Sequence, residues 1–181
     1  MGITIHYSFG KIENPNGLLK RAKERALKMN WKILEDKKNC LTLHPHNDCE
    51  SVDLEFKQLK EVRKIKDYDY IKNILKDFNF DDENEDLWVC SMFCKTQYAG
   101  TKTHIEVAEF LRFIASYCYL VKIYDEADYY EKGLSEKSIK ETNESFDSSS
   151  KMIGNLLGVI KEKFGKEKVY ASIDNLEVSK C

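Results

Sequence analysis

LWVCSMFC (87–94), KTQYAGTKTH (95–104), IEVAEFLRFIASYC (105–118), YLVKIY (119–124) and DEADYY (125–130) follow one another without a break, and their reading decides the fold. An apolar strand, a polar loop, an apolar helix and a second apolar strand ending in acids have the grammar of a β-α-β unit. Thr103-His104-Ile105-Glu106 reads as a capping box at the start of the helix. From Ile105 to Ala115 the apolar residues leave one narrow polar stripe, Glu106, Glu109, Arg112 and Ser116. Such a helix is expected to be largely buried.

If strands 88–94 and 119–124 run parallel, their carboxyl ends and the helix start lie along one rim. That rim carries Lys95, Thr96, Gln97, Tyr98, Thr103 and His104 on one side and Asp125, Glu126 and Tyr130 on the other. Open sheets bind ligands outside the carboxyl ends of parallel strands, and the unsatisfied N–H groups of a helix start attract anions. The expected function is therefore binding of a small anionic ligand or a protein partner at residues 95–104 and 125–130. The chemical alternative is a hydrolase or transferase that uses His104 with Asp125 or Glu126, with or without a metal. The competing structural reading is an ion pair between Lys95 and Asp125 or Glu126, of little energetic weight at a surface.

His44-Pro45-His46-Asn47-Asp48-Cys49-Glu50 packs five potential metal ligands into seven residues. Pro45 interrupts the alternation that would put both imidazoles on one side, and no second cluster with metal-ligand spacing supports it. A polar hairpin tip is the preferred reading, with a metal site through His44, His46 and Asp48 or Glu50 as the weaker alternative. No phosphate-binding glycine loop and no serine-hydrolase elbow occurs, so no cofactor is assigned.

Outward from this centre, Ile3, Ile5 and Tyr7 alternate with Thr4 and His6 and predict a first strand. Residues 18–29 are amphipathic and predict a helix that stops at Asn30. Trp31–Leu34, Cys40–Leu43 and Val52–Phe56 read as a meander of strands. A basic connector (57–66), a short helix (68–78) and an acidic loop (81–86) lead into the central strand. After Gly133 an amphipathic helix spans Leu134–Phe164, with a break or bend expected at Ser145–Ser150 because serine is a mediocre helix former. Residues 165–181 read as an added edge strand or a loose tail.

A chain of 181 residues, 42% of them hydrophobic, suffices for one sizeable core, so one domain over 1–181 is expected. The predicted fold is α+β: a mixed, mainly antiparallel sheet of about five or six strands with helices packed on one face, a ferredoxin-like or related sandwich. A net charge of -2 lacks the basic excess of general nucleic-acid binding. No window is long and apolar enough for a membrane span and no leader peptide is evident, so the expected location is the cytoplasm and the expected state a monomer or homodimer. The six cysteines lack a C-x-x-C pair and read as structural thiols.

Overall fold

Ile5, Tyr7 and Phe9 alternate with His6 and Ser8, and the strand they form, β1 (Thr4–Ile12), is the centre of the main sheet. The computed structural model describes residues 3–12, 14–62, 87–164, 168–171 and 176–179, with side chains as far as residue 156. β1 lies between β6 (Trp88–Lys95) and β7 (Leu120–Asp125) and is antiparallel to both. A two-residue strand, β5 (Lys57–Gln58), pairs with the outer edge of β6, so the order is β5-β6-β1-β7. Strands 88–95 and 120–125 therefore run parallel to each other, but they are not neighbours. The helix α3 (Gly100–Ala115) carries the chain over β1, and both strands still end on the same side of the sheet.

The meander forms a sheet of its own. β2 (Lys32–Lys37), β3 (Cys40–His44) and β4 (Val52–Glu55) pair antiparallel in that order, so the expected single sheet of five or six strands is divided into one of four and one of three. The small sheet buries Leu41, Leu43, Val52 and Leu54, while the large one buries Ile5, Tyr7, Phe9, Cys90 and Cys94. Each sheet has one apolar face to hide, and one shared core hides both. Tyr7 joins them: its hydroxyl donates to the Asp53 carbonyl oxygen and accepts from the Asp53 N–H, both at 3.0 Å.

Helix α1 (Pro15–Lys28) begins three residues earlier than its apolar stripe suggests. Asn14 accepts a hydrogen bond from the Gly17 N–H at 2.9 Å, and Pro15 fits the first turn, where no N–H is required. The helix ends as the sequence implies, with Asn30 in the left-handed region at φ +59° and Trp31 N–H bonded back to the Ala26 carbonyl. Leu18, Leu19, Ala22 and Ala26 of α1 meet Val107, Phe110, Leu111 and Ile114 of α3 in a single core, with Trp31 and Phe110 ring centroids 4.8 Å apart. Burying each large apolar side chain contributes roughly 1.5–3 kcal/mol.

Two further helices follow β7: α4 (Tyr129–Lys132) and α5 (Glu136–Phe164). The expected break at Ser145–Ser150 is absent, and α5 is continuous. Thr142 and Ser145 return their hydroxyl protons to the carbonyls of Ser138 and Glu141, which satisfies these side chains without opening the backbone ladder. The tail contributes a hairpin, β8 (Lys168–Ala171) with β9 (Leu176–Ser179), rather than an edge strand of the main sheet. α2 (Leu59–Val62) occupies the start of the basic connector. The rest of that connector, the short helix expected at 68–78 and the acidic loop at 81–86 lie outside the described residues. Among the described residues the protein is thus an α+β structure of five helices and two antiparallel sheets, with an additional two-stranded hairpin, and no helix is long and apolar enough to cross a membrane.

Candidate functional site

Thr96 leaves β6, and its N–H stays bonded to the carbonyl of Ile3, the residue before the adjacent β1, at 3.0 Å. A turn closed by Ala99 N–H on the Thr96 carbonyl then launches α3 at Gly100, whose φ of +82° a side chain would strain. The helix therefore starts three residues before the expected capping box. Thr103 lies inside its first turn and is buried; the N-cap, Ala99, offers no side-chain acceptor.

This early start turns His104 into the protein. The ring is fully buried, with Nδ1 2.7 Å from Thr96 Oγ1 and Nε2 3.0 and 3.1 Å from the two Asp125 carboxylate oxygens. Thr96 and Asp125 are likewise 0% exposed. The last residue of β7, the loop after β6 and the first turn of α3 are thus joined by a hydroxyl–imidazole–carboxylate chain. Asp125 is further held by N–H groups of its own loop, Ala127 on Oδ1 and Tyr130 on Oδ2, each at 2.9 Å. Burial alone pushes the Asp125 carboxyl up, but the His104 hydrogen bond and charge and the two backbone amides outweigh it, and its pKa is lowered from 3.8. The Asp125 carboxylate accepts a hydrogen bond from His104 Nε2–H, and Nδ1 faces the Thr96 hydroxyl. The Thr96 hydroxyl also lies 3.4 Å from the Ile3 carbonyl, a second acceptor for its proton.

The remaining rim residues divide by exposure. Gln97 is only 6% exposed, and its Nε2 has no hydrogen-bond partner, an uncommon condition for a buried amide. Tyr98 is 45% exposed. Lys95 is half-buried, and its backbone is locked to Glu50: the Lys95 N–H donates to Glu50 Oε2 and the Glu50 N–H to the Lys95 carbonyl. Tyr130 is half-buried under the Arg112 guanidinium, 4.6 Å from its ring centroid, and burial raises its pKa. Glu126 accepts from the Thr4 N–H at 2.9 Å. Asp125 thus turns to His104 and not to Lys95.

Two contributors were not expected at this rim. Phe146 of α5 lays its ring against His104 at 5.3 Å in an edge-on contact and, with Ile3 and Ala127, roofs the hydroxyl–imidazole–carboxylate chain. Glu50 ties the small sheet to the rim. Beside Ile3 a groove of about 640 Å³ opens between Glu126 and the α5 residues Glu141, Glu144, Ser145, Ser148 and Met152. Its acids are partly neutralised, Glu141 by Lys132 at 2.8 Å and Glu144 by Lys140 at 3.9 Å.

The histidine-rich segment forms the turn between β3 and β4. His46 Nδ1 accepts from the Asp48 N–H at 3.2 Å, and Cys49 N–H closes the turn on the His46 carbonyl. Among the described residues no group of three His, Cys, Asp or Glu side chains stands close enough to hold a metal ion. Cys49 runs inward, with its Sγ 3.7 Å from that of Cys94. Comparison with protein-family models, with curated proteins and with solved structures found no match for this chain.

Proposed function

We propose that this protein binds a small anionic ligand, or a partner presenting a carboxylate or phosphate, where the loop after β6 enters α3. The strand order β5-β6-β1-β7 supports reading the fold as ferredoxin-like, with β1-α1-β5 and β6-α3-β7 as its two split units and β2 to β4 as an insertion. Such a fold assigns no activity by itself. The observation that carries the reading is the Gln97 amide, a buried donor without an acceptor, two residues before the N-cap of an uncapped sixteen-residue helix. An anion there would accept from Gln97 Nε2 and from the first N–H groups of α3. The acid-lined groove beside Ile3 disfavours an anion, which narrows the position to the α3 start. The proposed location is the cytoplasm.

The Gln97→Met variant tests this reading, because it keeps the volume and removes the donor. An unpaired buried donor costs about 1–3 kcal/mol, so the variant is expected to be more stable than the parent in anion-free buffer. The parent should gain stability from phosphate, sulfate or citrate, by about 2.7 kcal/mol at a hundredfold excess over the dissociation constant. The variant should not. Thermal melts that respond to none of these anions in the parent, or equally in both proteins, would remove the proposal.

The hydrogen-bond chain itself favours a second reading. A hydroxyl 2.7 Å from an imidazole that is oriented by a carboxylate has the layout of an activated nucleophile for acyl transfer, so a hydrolase or transferase is the alternative. In this reading Thr96 attacks, His104 takes its proton and Asp125 holds the ring. Phe146 closes the site, so α5 must move to admit substrate. A fluorophosphonate probe should modify Thr96 faster in Phe146→Ala than in the parent and not at all in His104→Ala. Peptide mapping that finds Thr96 unmodified in Phe146→Ala ends this alternative.

A further inference from the structure

Two thiols meet in the core that the two sheets share. Cys94 stands near the end of β6, and Cys49 closes the turn between β3 and β4, 45 residues away in the chain. Their sulfurs are 3.7 Å apart, and the residues are 3% exposed for Cys49 and 0% for Cys94. Each sulfur also faces a carbonyl beside its neighbour, Cys49 Sγ that of Lys95 at 3.6 Å and Cys94 Sγ that of Glu50 at 3.5 Å. Buried free cysteine ordinarily serves as a small apolar filler, a role that asks for no second sulfur in contact. The other described thiols bond to oxygen instead: Cys40 to the Glu35 carboxylate, Cys90 to the Asp53 carbonyl and Cys118 to the Ile114 carbonyl.

A disulfide holds its sulfurs about 2.05 Å apart, so the gap must close by roughly 1.7 Å, shared between two side chains. From this cross-sheet pairing we infer that Cys49 and Cys94 form a reversible disulfide, closed by hydrogen peroxide and reopened by a dithiol. The peroxide oxidises the Cys49 thiol to the sulfenic acid, and one of its oxygens leaves as water. The Cys94 sulfur then attacks the Cys49 sulfur, the S–O bond breaks, and the hydroxyl departs with the Cys94 proton as a second water. Two thiols thereby give up two electrons, which reduce the O–O bond of the peroxide. On reopening, the dithiol returns those two electrons and becomes a disulfide itself.

The oxidant enters through the turn. His46, Asn47 and Asp48 are exposed, and the turn is held by Cys49 N–H on the His46 carbonyl and by Asp48 N–H on His46 Nδ1. Local opening of so short a segment costs far less than global unfolding, and it uncovers Cys49 first. Cys94 is the resolving partner. Its hydrogen bond to Cys49 and then its burial raise its pKa well above the ordinary 9.0, which makes it the poorer first nucleophile. The bridge fastens the small sheet to β6 one residue before Lys95, where Glu50 already holds the backbone. It does not depend on the anion-binding reading.

Treatment of the folded whole chain with millimolar hydrogen peroxide, quenched by alkylation and followed by non-reducing peptide mapping, tests the inference. The expected product is one pair of peptides joined through Cys49 and Cys94, and dithiothreitol should restore both thiols. Oxidation should raise the thermal midpoint by about 5–15 °C, because the bridge closes a long loop in the unfolded chain. Cys49→Ser and Cys94→Ala should each abolish the bridge and the rise, whereas Cys118→Ala should keep both. Where either of the first two variants fails to fold, the peptide map of the parent still decides. The inference is overturned if Cys49 and Cys94 are recovered as free thiols after oxidation, or if either is found joined to another cysteine. A melt that falls on oxidation, showing that the two sheets must be forced together, overturns it equally.

Discussion

Asp125→Ala is expected to lower the stability of the protein by about 3–5 kcal/mol, measured by urea unfolding at neutral pH. The carboxylate is 0% exposed and serves three donors: His104 Nε2 and the N–H groups of Ala127 and Tyr130. Alanine leaves all three without their acceptor. The loss should depend on pH with a definite sign. The folded-state pKa lies below the ordinary value of 3.8, so the unfolded chain binds the proton more readily. The Asp125 contribution is therefore fully present above that value and fades as the pH falls below it through the folded-state value. Parent and variant should accordingly converge in acid. A gap that stays constant from neutral pH down to the acid transition would show that the charge of Asp125 is not what holds the loop.

Tyr7 is the second position where a small change should have a large effect. It is 1% exposed, and its hydroxyl bonds both the N–H and the carbonyl of Asp53 on β4. Tyr7→Phe keeps the ring and strands two backbone groups, which is expected to cost about 1–3 kcal/mol. Tyr7→Ala adds a cavity in the shared core and should bring the loss to about 3–5 kcal/mol or more. Hydrogen exchange separates the two effects. In Tyr7→Phe the amides of β4 should lose protection before those of β1 and β6, because the hydroxyl ties the small sheet to the large one. Equal loss across both sheets would mean that Tyr7 acts through general packing.

The strand, helix and strand of residues 87–125 were legible because each carries its own periodicity. Alternation in Ile5-His6-Tyr7 and the apolar stripe from Val107 to Ile114 each specify a buried face within a few residues. The meeting of His104 with Asp125 followed from that reading once both strands ended on one side. The insertion of β1 between the two strands was not legible, since alternation states which face is buried and says nothing about which strand lies alongside. The helix start was misplaced at Thr103 because Thr-x-x-Glu fits a cap locally. The Thr96–Ala99 turn and Gly100 began the helix earlier and rotated His104 from the surface into the interior.

The sequence by itself determined the type of each central element, the polar character of the rim and the alternation of Thr4 and His6 with Ile3, Ile5 and Tyr7 in the first strand. Only the tertiary structure decided that the meander forms a separate sheet, that α5 lowers Phe146 onto His104, that Glu50 fastens Lys95, and that the Cys49 and Cys94 sulfurs face each other. The division has one physical cause. Local patterns record how each segment meets water, whereas the partner that removes it from water is selected by packing across separations of 40 to more than 100 residues.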